Sequence, residues 1–408
     1  MKKLLYLFSG MFLLGACNTQ NETGKQQIPF GNYRATIHTQ HKDIPFQFSI
    51  EKKDQQSVVY LINGQEKLPI NEFYLQGDSL HLPMHIFENS ISAKWVGDHL
   101  EGTFKKPQAD DYLLPFTAFP NKRYRFRPMV SDKKQTGADF SGKWKTHFSH
   151  KADSVFAMGI FKQQGDKVEG TFRTTTGDYR FLAGNVQGDS LYMSAFDGEH
   201  LYLFEAQMQG EKIHGEFWSG RGFHTQWTAE KDPEFELPDA YSLTKLTNKN
   251  QAFDFSFPDL NNKIVHFQED ARFKGKPTVV QIFGSWCPNC MDETAFIADW
   301  YKKNKDRGVE VVAIAFERND NFEHSKKRVE KVVRKYQATY PFVIGGARKN
   351  ADAAMPMLEK IKSFPTTIFL DKEGKVYKIH TGFNGPSTGT YYEDYIKHFN
   401  ETVDHLLQ

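Results

Sequence analysis

The feature that most restricts the fold of this 408-residue chain is a pair of cysteines placed directly after an apolar run. Residues Thr278–Phe283 are rich in β-branched side chains, which is typical of a strand that is covered on both faces. The sequence Gly-Ser-Trp-Cys-Pro-Asn-Cys follows, and then a helical pattern from about residue 291 to 303. Because the chain has only three cysteines, a framework of structural disulfides is excluded. The pattern instead predicts two cysteines with a specific task.

A Cys-x-x-Cys pair at a strand-to-helix junction suits thiol chemistry. Cys287 would stand at the helix N-terminus, where unpaired backbone N–H groups and the helix dipole favour its thiolate. Cys290 could then reach back and release a mixed disulfide, and Pro288 is tolerated because its missing N–H would have no partner there. Zinc would need four ligands, and no second cysteine pair or nearby histidine pair is present. We therefore expect no metal and no other cofactor.

The rest of residues 250–408 alternates between strand and helix patterns. Strands are predicted at 309–316, 342–344, 364–370 and 376–380, and helices at 323–336 and 391–407. This predicts an α/β domain with a central mixed sheet flanked by helices.

Two motifs of this region together resemble the thioredoxin superfamily, and most closely its TlpA/ResA-type branch. They are Trp286-Cys287-Pro288-Asn289-Cys290 and, about 75 residues later, Phe-Pro-Thr-Thr-x-Phe-Leu-Asp from Phe364. The resemblance covers roughly residues 250–408. It implies that Pro365 is a cis-proline facing the disulfide and that the backbone of Phe364 pairs with a substrate strand. An ordinary trans-proline that starts an edge strand is the alternative.

The resemblance also implies a role for Glu293, because this branch carries a buried glutamate three residues after the second cysteine. The spacing places Glu293 on the helix face of Cys290. The alternative is a carboxylate that only favours the helix dipole. Thioredoxins have a buried aspartate six residues before the first cysteine, where this chain has Gln281. Proton transfer at that position is therefore in doubt, and Glu293 is the better candidate.

These residues predict dithiol–disulfide exchange with protein disulfides. The resemblance implies a reductase that is recharged by a membrane thiol transporter. Two alternatives stay open, a thiol-dependent peroxidase of the redoxin type and a binding lipoprotein with an accessory redox domain. With 52 basic and 50 acidic residues, the chain has no large excess of positive charge that would favour binding to nucleic acid.

The N-terminus predicts a lipid anchor. Residues 1–16 have a basic start and an apolar run too short to span a bilayer, and they lead to Leu14-Gly15-Ala16-Cys17. That tetrapeptide resembles the lipobox of bacterial lipoproteins, which implies cleavage before Cys17 and its acylation. An ordinary secretory signal is the alternative. Residues 17–27 are a polar tether without an acidic cluster, so we expect the periplasmic face of the envelope rather than the cell surface.

Residues 25–235 read as short alternating strands, with an internal repeat. Gly31 and Gly77 recur 111 positions later as Gly142 and Gly188, each in a similar context. We predict a duplicated all-β region with units at 28–120 and 138–230, without a catalytic site. Its histidines show no metal-ligand pattern: His38, His41, His147, His150 and His214. The charged, proline-marked segment 231–238 is predicted to be a linker across which few contacts are made.

Overall fold

The computed structural model describes residues 27–54, 56–84, 86–109, 111–126, 137–149, 154–248 and 252–408. The predicted signal peptide, Cys17 and the predicted tether up to residue 26 lie outside the described residues, and so does His150. Within the described part of the chain, no helix is both long and apolar enough to cross a bilayer.

The first part of the chain is an antiparallel sheet of nine strands that remains open. Its spatial order is β4-β3-β2-β1-β9-β8-β7-β6-β5, so β4 and β5 are its two edges. Alternate side chains of β2, including Phe46, Phe48 and Ile50, are fully buried in its core. The strands are β1 (Gly31–His38), β2 (Asp43–Lys53), β3 (Gln56–Asn63), β4 (Glu66–Ile70), β5 (Tyr74–Gln76), β6 (Ser79–Met84), β7 (Asn89–Val96), β8 (His99–Lys105) and β9 (Leu113–Pro120).

The second part is a closed antiparallel barrel. Its order is β11-β10-β18-β17-β16-β15-β14-β12-β13, and an additional pairing of β11 with β12 completes the ring. Aromatic side chains fill the interior, including Phe148, Phe172, Phe204 and Trp227. The strands are β10 (Gly142–Ser149), β11 (Ser154–Gln164), β12 (Lys167–Thr174), β13 (Gly177–Asp178), β14 (Leu182–Gln187), β15 (Ser190–Phe196), β16 (Leu201–Gln209), β17 (Lys212–Ser219) and β18 (Phe223–Lys231). The region is therefore largely β-structure, as predicted.

The third part has a thioredoxin-like fold. A hairpin of β19 (Ser256–Pro258) and β20 (Ile264–His266) precedes a mixed five-stranded sheet in the order β23-β22-β21-β24-β25. All six residues of the central strand β21 are buried, because the long helices cover one face of the sheet and the β19–β20 hairpin with its flanking segments packs on the other. The remaining strands are β21 (Thr278–Phe283), β22 (Glu310–Glu317), β23 (Phe342–Ala347), β24 (Thr366–Leu370) and β25 (Val376–Thr381). The helices are α1 (Pro288–Asn304), α2 (Phe322–Tyr336), α3 (Ala351–Ala354) and α4 (Thr390–Leu407).

The predicted elements of this third part are confirmed, and their ends shift by up to three residues. The helix after the cysteines begins at Pro288 rather than near residue 291, because Cys287 already caps it. The strand predicted from residue 364 begins at Thr366, whose hydroxyl donates a hydrogen bond back to the carbonyl of Ser363 across 2.8 Å. Residues 363–365 therefore form a turn before the strand.

The expectation of few contacts across the linker is wrong. Glu236 of the linker segment accepts hydrogen bonds from Lys143 of β10 and from Tyr391 of α4, each over 2.8 Å. Arg173 of β12 donates a hydrogen bond to Asn384 across 2.9 Å. The first sheet also contributes, since Arg328 of α2 donates to the carbonyl of Ile86 across 3.0 Å. Polar side chains on all three parts thus join them. The charge and proline content of the linker could not indicate these contacts, because the partners lie far away in the sequence.

Candidate active site

Cys287 and Cys290 form a disulfide at the start of α1. Cys287 is the N-cap residue, and the backbone N–H of Cys290 points at its sulfur from 3.1 Å. Pro288 occupies the first helical turn, where a backbone N–H is not needed. Cys287 is 7% exposed and Cys290 is fully buried. A substrate can therefore reach only the first of these two sulfurs.

The Phe364–Pro365 peptide bond is cis, as the resemblance predicted. This turn lies directly beside the redox pair, because the carbonyl oxygen of Phe364 is 3.4 Å from Sγ of Cys287. A thiol at Cys287 could donate a hydrogen bond to that oxygen. Pairing of the Phe364 backbone with a substrate strand stays a prediction.

Trp286 is fixed beside the pair by contacts at its ring nitrogen and over its ring. Its indole N–H donates a hydrogen bond to the carbonyl of Phe316 across 2.9 Å. A Cβ atom at Gly284 would lie 2.2 Å from the indole nitrogen, so only glycine leaves room for the ring there. The guanidinium of Arg348 lies 4.3 Å from the ring centroid, at the distance of a cation–π contact.

Glu293 is fully buried and accepts three hydrogen bonds. The donors are Gln281 at 2.8 Å, Thr367 at 2.7 Å and Tyr395 at 3.0 Å. Burial raises the pKa of Glu293 to about 7, although these hydrogen bonds favour the carboxylate and oppose the rise. A carboxyl group one helical turn after Cys290 therefore titrates near neutral pH. Its effect on the cysteines stays a prediction.

Gln281 acts as a structural link and not as an acid. Its amide nitrogen donates to Glu293, and its amide oxygen accepts from the hydroxyl of Thr294 across 3.2 Å. The same hydroxyl lies 2.8 Å from the carbonyl oxygen of Cys290. Because an amide does not titrate, the ionisable group in this network is Glu293.

A buried ion cluster that was not predicted from the sequence lies beside the redox motif. Arg180 of the second β unit lies 2.9 Å from Glu66 and 3.3 Å from Asp197, and it also pairs with Asp292 of α1. Asp292 is two residues after Cys290. Burial raises the pKa of Asp292 to about 7, and the positive charge of Arg180 opposes that rise. The cluster joins all three parts of the chain.

Residues 174–180, here called the crossing segment, run across the redox motif. The carbonyl of Asp178 accepts a hydrogen bond from the side chain of Asn289 across 3.3 Å, and that of Thr176 accepts from Ser363 across 3.0 Å. The carboxylate of Asp178 accepts from the backbone N–H of Gly385 across 2.5 Å. This segment was not predicted from the sequence, and the two β units differ in structure at this point. At the corresponding point of the first unit, β4 is five residues long, whereas β13 has two.

Cys287 lies in a cleft of about 700 Å³ between the barrel and the thioredoxin-like part. The crossing segment, His200 and Tyr202 line one side. The other side is lined by residues of the thioredoxin-like part, including Trp286, Arg348, Lys362 and Phe364. The reactive sulfur is therefore reached through a passage that two parts of the chain form together.

Comparison with known proteins places the similarity in the C-terminal part of the chain. The Redoxin family profile matches residues 247–395, which include Cys287, Cys290, Glu293 and Pro365. The thiol-disulfide oxidoreductase ResA of Bacillus subtilis is 31% identical over 137 residues, or 34% of this chain and 69% of that protein. ResA of Geobacillus thermodenitrificans is 32% identical over 141 residues, or 34% of this chain and 72% of that protein.

Among solved structures, a thioredoxin-family thiol:disulfide interchange protein from Chlorobium tepidum is similar with a TM-score of 0.30 and 22% identity. The similarity covers 40% of this chain and 99% of that one.

Proposed function

Because this chain belongs to the ResA/TlpA-type thiol–disulfide oxidoreductases, we propose that it reduces disulfides of other proteins while anchored to the cell-envelope membrane. Its enzymatic activity is dithiol–disulfide exchange. The observation that carries the proposal is the geometry of the pair, in which Cys287 is accessible, caps α1 and covers the buried Cys290.

The exchange needs no cofactor. The thiolate of Cys287 attacks one sulfur of the substrate disulfide, forms a mixed disulfide and releases the other substrate sulfur as a thiolate. The thiolate of Cys290 then attacks Sγ of Cys287, which forms the Cys287–Cys290 disulfide and releases the second substrate thiolate. The substrate gains two electrons and, after protonation, two protons. An external dithiol returns the pair to its reduced form.

The environment of the pair favours the reductive direction. A strongly oxidising pair is one whose reduced thiolate form is stabilised. Here the buried carboxyl group of Glu293 ionises near pH 7, and a negative charge close to the pair disfavours a second one on sulfur. We infer that the disulfide form of the pair is not disfavoured relative to its reduced form, so the reduced pair gives up its electrons readily. The electrons would come from a membrane thiol transporter.

The proposed location rests on the N-terminal sequence. Acylation of Cys17 would hold the protein at the membrane, with residues 17–27 as a tether and the periplasm as the compartment. Disulfides form and persist in such an oxidising compartment, so a disulfide reductase would find substrates there.

We also propose that the two β units arose by duplication. Gly31 and Gly142, 111 residues apart, begin β1 and β10 with φ angles of +132° and +110°. Gly77 and Gly188 have φ angles of +62° and +58° in the turns before β6 and β15. These correspondences support the proposal. A sequence alignment of the two units from many relatives would test it, because unrelated units would not share the glycine positions.

The function is tested with the full chain and three single substitutions. With dithiothreitol as electron source, we expect Cys287→Ser and Cys290→Ser to abolish catalytic reduction of insulin. The matched control Cys17→Ser should retain it. Cys290→Ser should also accumulate a mixed disulfide through Cys287, which mass spectrometry of the trapped complex would identify. Undiminished turnover by Cys287→Ser would contradict the assignment of the nucleophile.

A further inference from the structure

The crossing segment is attached on both sides of the reactive sulfur. At Asp178 it accepts a hydrogen bond from Asn289 of the cysteine motif, and at Thr176 it accepts one from Ser363, in the turn that contacts Cys287. These two attachments use backbone carbonyls of the second β unit. The segment is therefore a fixed side of the cleft and not a loosely packed neighbour.

The segment also has no room to move toward the motif. A Cβ atom at Gly177 would lie 1.9 Å from the side-chain nitrogen of Asn289. On its other side, a Cβ atom at Gly382 would lie 2.8 Å from the carbonyl carbon of Thr176. Glycine at both positions allows the two backbones to approach each other closely.

An ion pair joins the barrel to the thioredoxin-like part at another edge of the same cleft. Glu199, in the loop between β15 and β16, lies 3.2 Å from Arg318, which directly follows β22. Both residues line the cleft. Arg318 is 46% exposed, whereas Glu199 is mostly buried and also pairs with Lys106 across 3.3 Å. Arg318 is thus the movable partner.

From these contacts we propose that the crossing segment and the Glu199–Arg318 ion pair act as a size filter over Cys287. A passage of about 700 Å³ has the volume of a small-ligand pocket. It admits a disulfide on a short, extended or flexible segment, and it excludes a disulfide on the rigid surface of a folded protein. The proposal rests on the proposed function and adds no chemical step to the exchange described above.

The test compares two substrates with the same reacting bond. One is a symmetric disulfide between two copies of a ten-residue unstructured peptide, and the other is a symmetric disulfide between two copies of a rigid, thermostable domain, each linked through one exposed cysteine. Both sulfurs of each substrate therefore carry the group under test, whichever of them Cys287 attacks. Rates with the full chain are divided by rates with dithiothreitol alone, which corrects for intrinsic reactivity. We expect a normalised preference for the peptide of at least about tenfold, because misplacement of reacting atoms costs rate steeply.

Arg318→Ser should lower that preference severalfold, because opening one edge of the cleft should raise the rate on the rigid substrate more than the rate on the peptide. The matched control is Arg307→Ser, which removes an exposed arginine that pairs with Asp404 away from the cleft. Equal melting temperatures of both variants would show that they are folded.

Three results would overturn the proposal, and they are distinguishable. Equal normalised rates on both substrates would show that the cleft does not select by size, without contradicting the proposed function. If Arg318→Ser leaves the preference for the peptide unchanged, the Glu199–Arg318 ion pair does not contribute to the filter. Failure of the unaltered chain to reduce either substrate would overturn the proposed function and the filter with it.

Discussion

The side-chain amide of Asn289 donates a hydrogen bond to the backbone carbonyl of Asp178 across 3.3 Å. Asn289 is the residue directly before Cys290, so the second β unit contacts the redox motif itself. The intervening residues of a Cys-x-x-Cys motif influence how its sulfurs react, because they form the first turn of the helix that stabilises the thiolate. The β unit is therefore in a position to affect exchange without supplying a reacting group.

Gly177→Ala tests this contact. The new Cβ would lie 1.9 Å from the side-chain nitrogen of Asn289, and the φ angle of +143° is unfavourable for alanine. We expect a loss of about 1–3 kcal/mol in the free energy of unfolding and a lower rate of exchange with a small disulfide. Denaturant unfolding and dithiothreitol-driven reduction of glutathione disulfide measure the two effects.

Gly188→Ala is the control for that substitution. Gly188 also has a positive φ angle, +58°, but among the described residues no atom beyond its two chain neighbours lies within 4 Å of the position of its Cβ. We expect the Gly188→Ala variant to lose stability only because alanine is unfavourable at a positive φ angle. Its rate of exchange should stay unchanged. If both variants lose the same activity, the contact with Asn289 has no influence on the cysteines.

Glu293→Gln should change how stability depends on pH. Burial raises the pKa of Glu293 from 4.5 to about 7, so between these values the folded chain keeps a proton that the unfolded chain releases. Its contribution to stability is therefore complete at low pH and declines as the pH rises toward 7. Between pH 5 and pH 8 the loss from this one group is roughly 2 kcal/mol, and the glutamine variant should lack it.

The same variant should alter the titration of the cysteines. In the reduced protein, ionisation of Glu293 disfavours a nearby thiolate, so the pH profile of Cys287 alkylation should contain a step near pH 7. We expect Glu293→Gln to remove that step. Glu393→Gln, which removes an exposed carboxylate from the first turn of α4, is the control. An unchanged alkylation profile and unchanged pH dependence of unfolding would leave Glu293 without a tuning role.

Elements set by local sequence were predicted, whereas contacts between distant residues were not. Thr278–Phe283 and the cysteine motif predicted a strand, a turn and a helix because β-branched residues and an N-terminal proline act locally. The cis peptide before Pro365 followed from a family motif. Arg180 could not be found in this way, because its partners Glu66 and Asp292 are more than 100 positions away. Such pairs depend on how the parts dock.

A buried ion pair next to the motif is expected to contribute strongly to stability. Arg328 of α2 and Glu317 of β22 lie 3.3 Å apart and are almost completely buried. Ser285, which directly precedes Trp286, accepts a hydrogen bond from Arg328 across 2.7 Å and donates one to Glu317 across 2.8 Å. The pair therefore holds the turn that carries the redox motif.

Arg328→Met should cost about 3–5 kcal/mol in the free energy of unfolding, because it leaves the carboxylate of Glu317 buried without its cation. The double variant Arg328→Met, Glu317→Gln should recover part of that loss. Arg307→Met, which breaks an exposed ion pair with Asp404, should cost less than about 1 kcal/mol. Equal losses for the two arginines in urea unfolding would contradict a special role for the buried pair.

Cys17→Ser should release the protein from the membrane. Acyl chains on Cys17 are the proposed anchor, and burial of each chain in lipid supplies the binding free energy. After cell fractionation we expect the unaltered protein in the particulate fraction and the variant in the soluble envelope fraction. Palmitate labelling provides the second readout, and labelling that persists in the variant would rule out Cys17 as the lipidated residue.

Buried charged contacts join the three parts of the chain and should make them unfold together. The Arg180 cluster contains residues from the open sheet, the barrel and α1, and Arg328 of α2 donates a hydrogen bond to the carbonyl of Ile86 in the first part. Breaking these contacts would leave charged groups of the interface without their partners. We therefore expect the full chain to unfold in one cooperative heat-capacity transition.

The substitution Arg180→Met provides the comparison, because it removes the cation that joins Glu66 to Asp292. We expect this variant to separate the transition into at least two, with the thioredoxin-like part unfolding apart from the β units. Because the chain has six tryptophans, the fluorescence change on heating is compared with that of the same protein carrying Trp286→Phe. The transition whose fluorescence change is lost in the Trp286→Phe protein belongs to the redox motif. Two separate transitions in the unaltered chain would show that the parts are independently stable. In that case the contacts across the linker would position the crossing segment over Cys287 without contributing to cooperative folding.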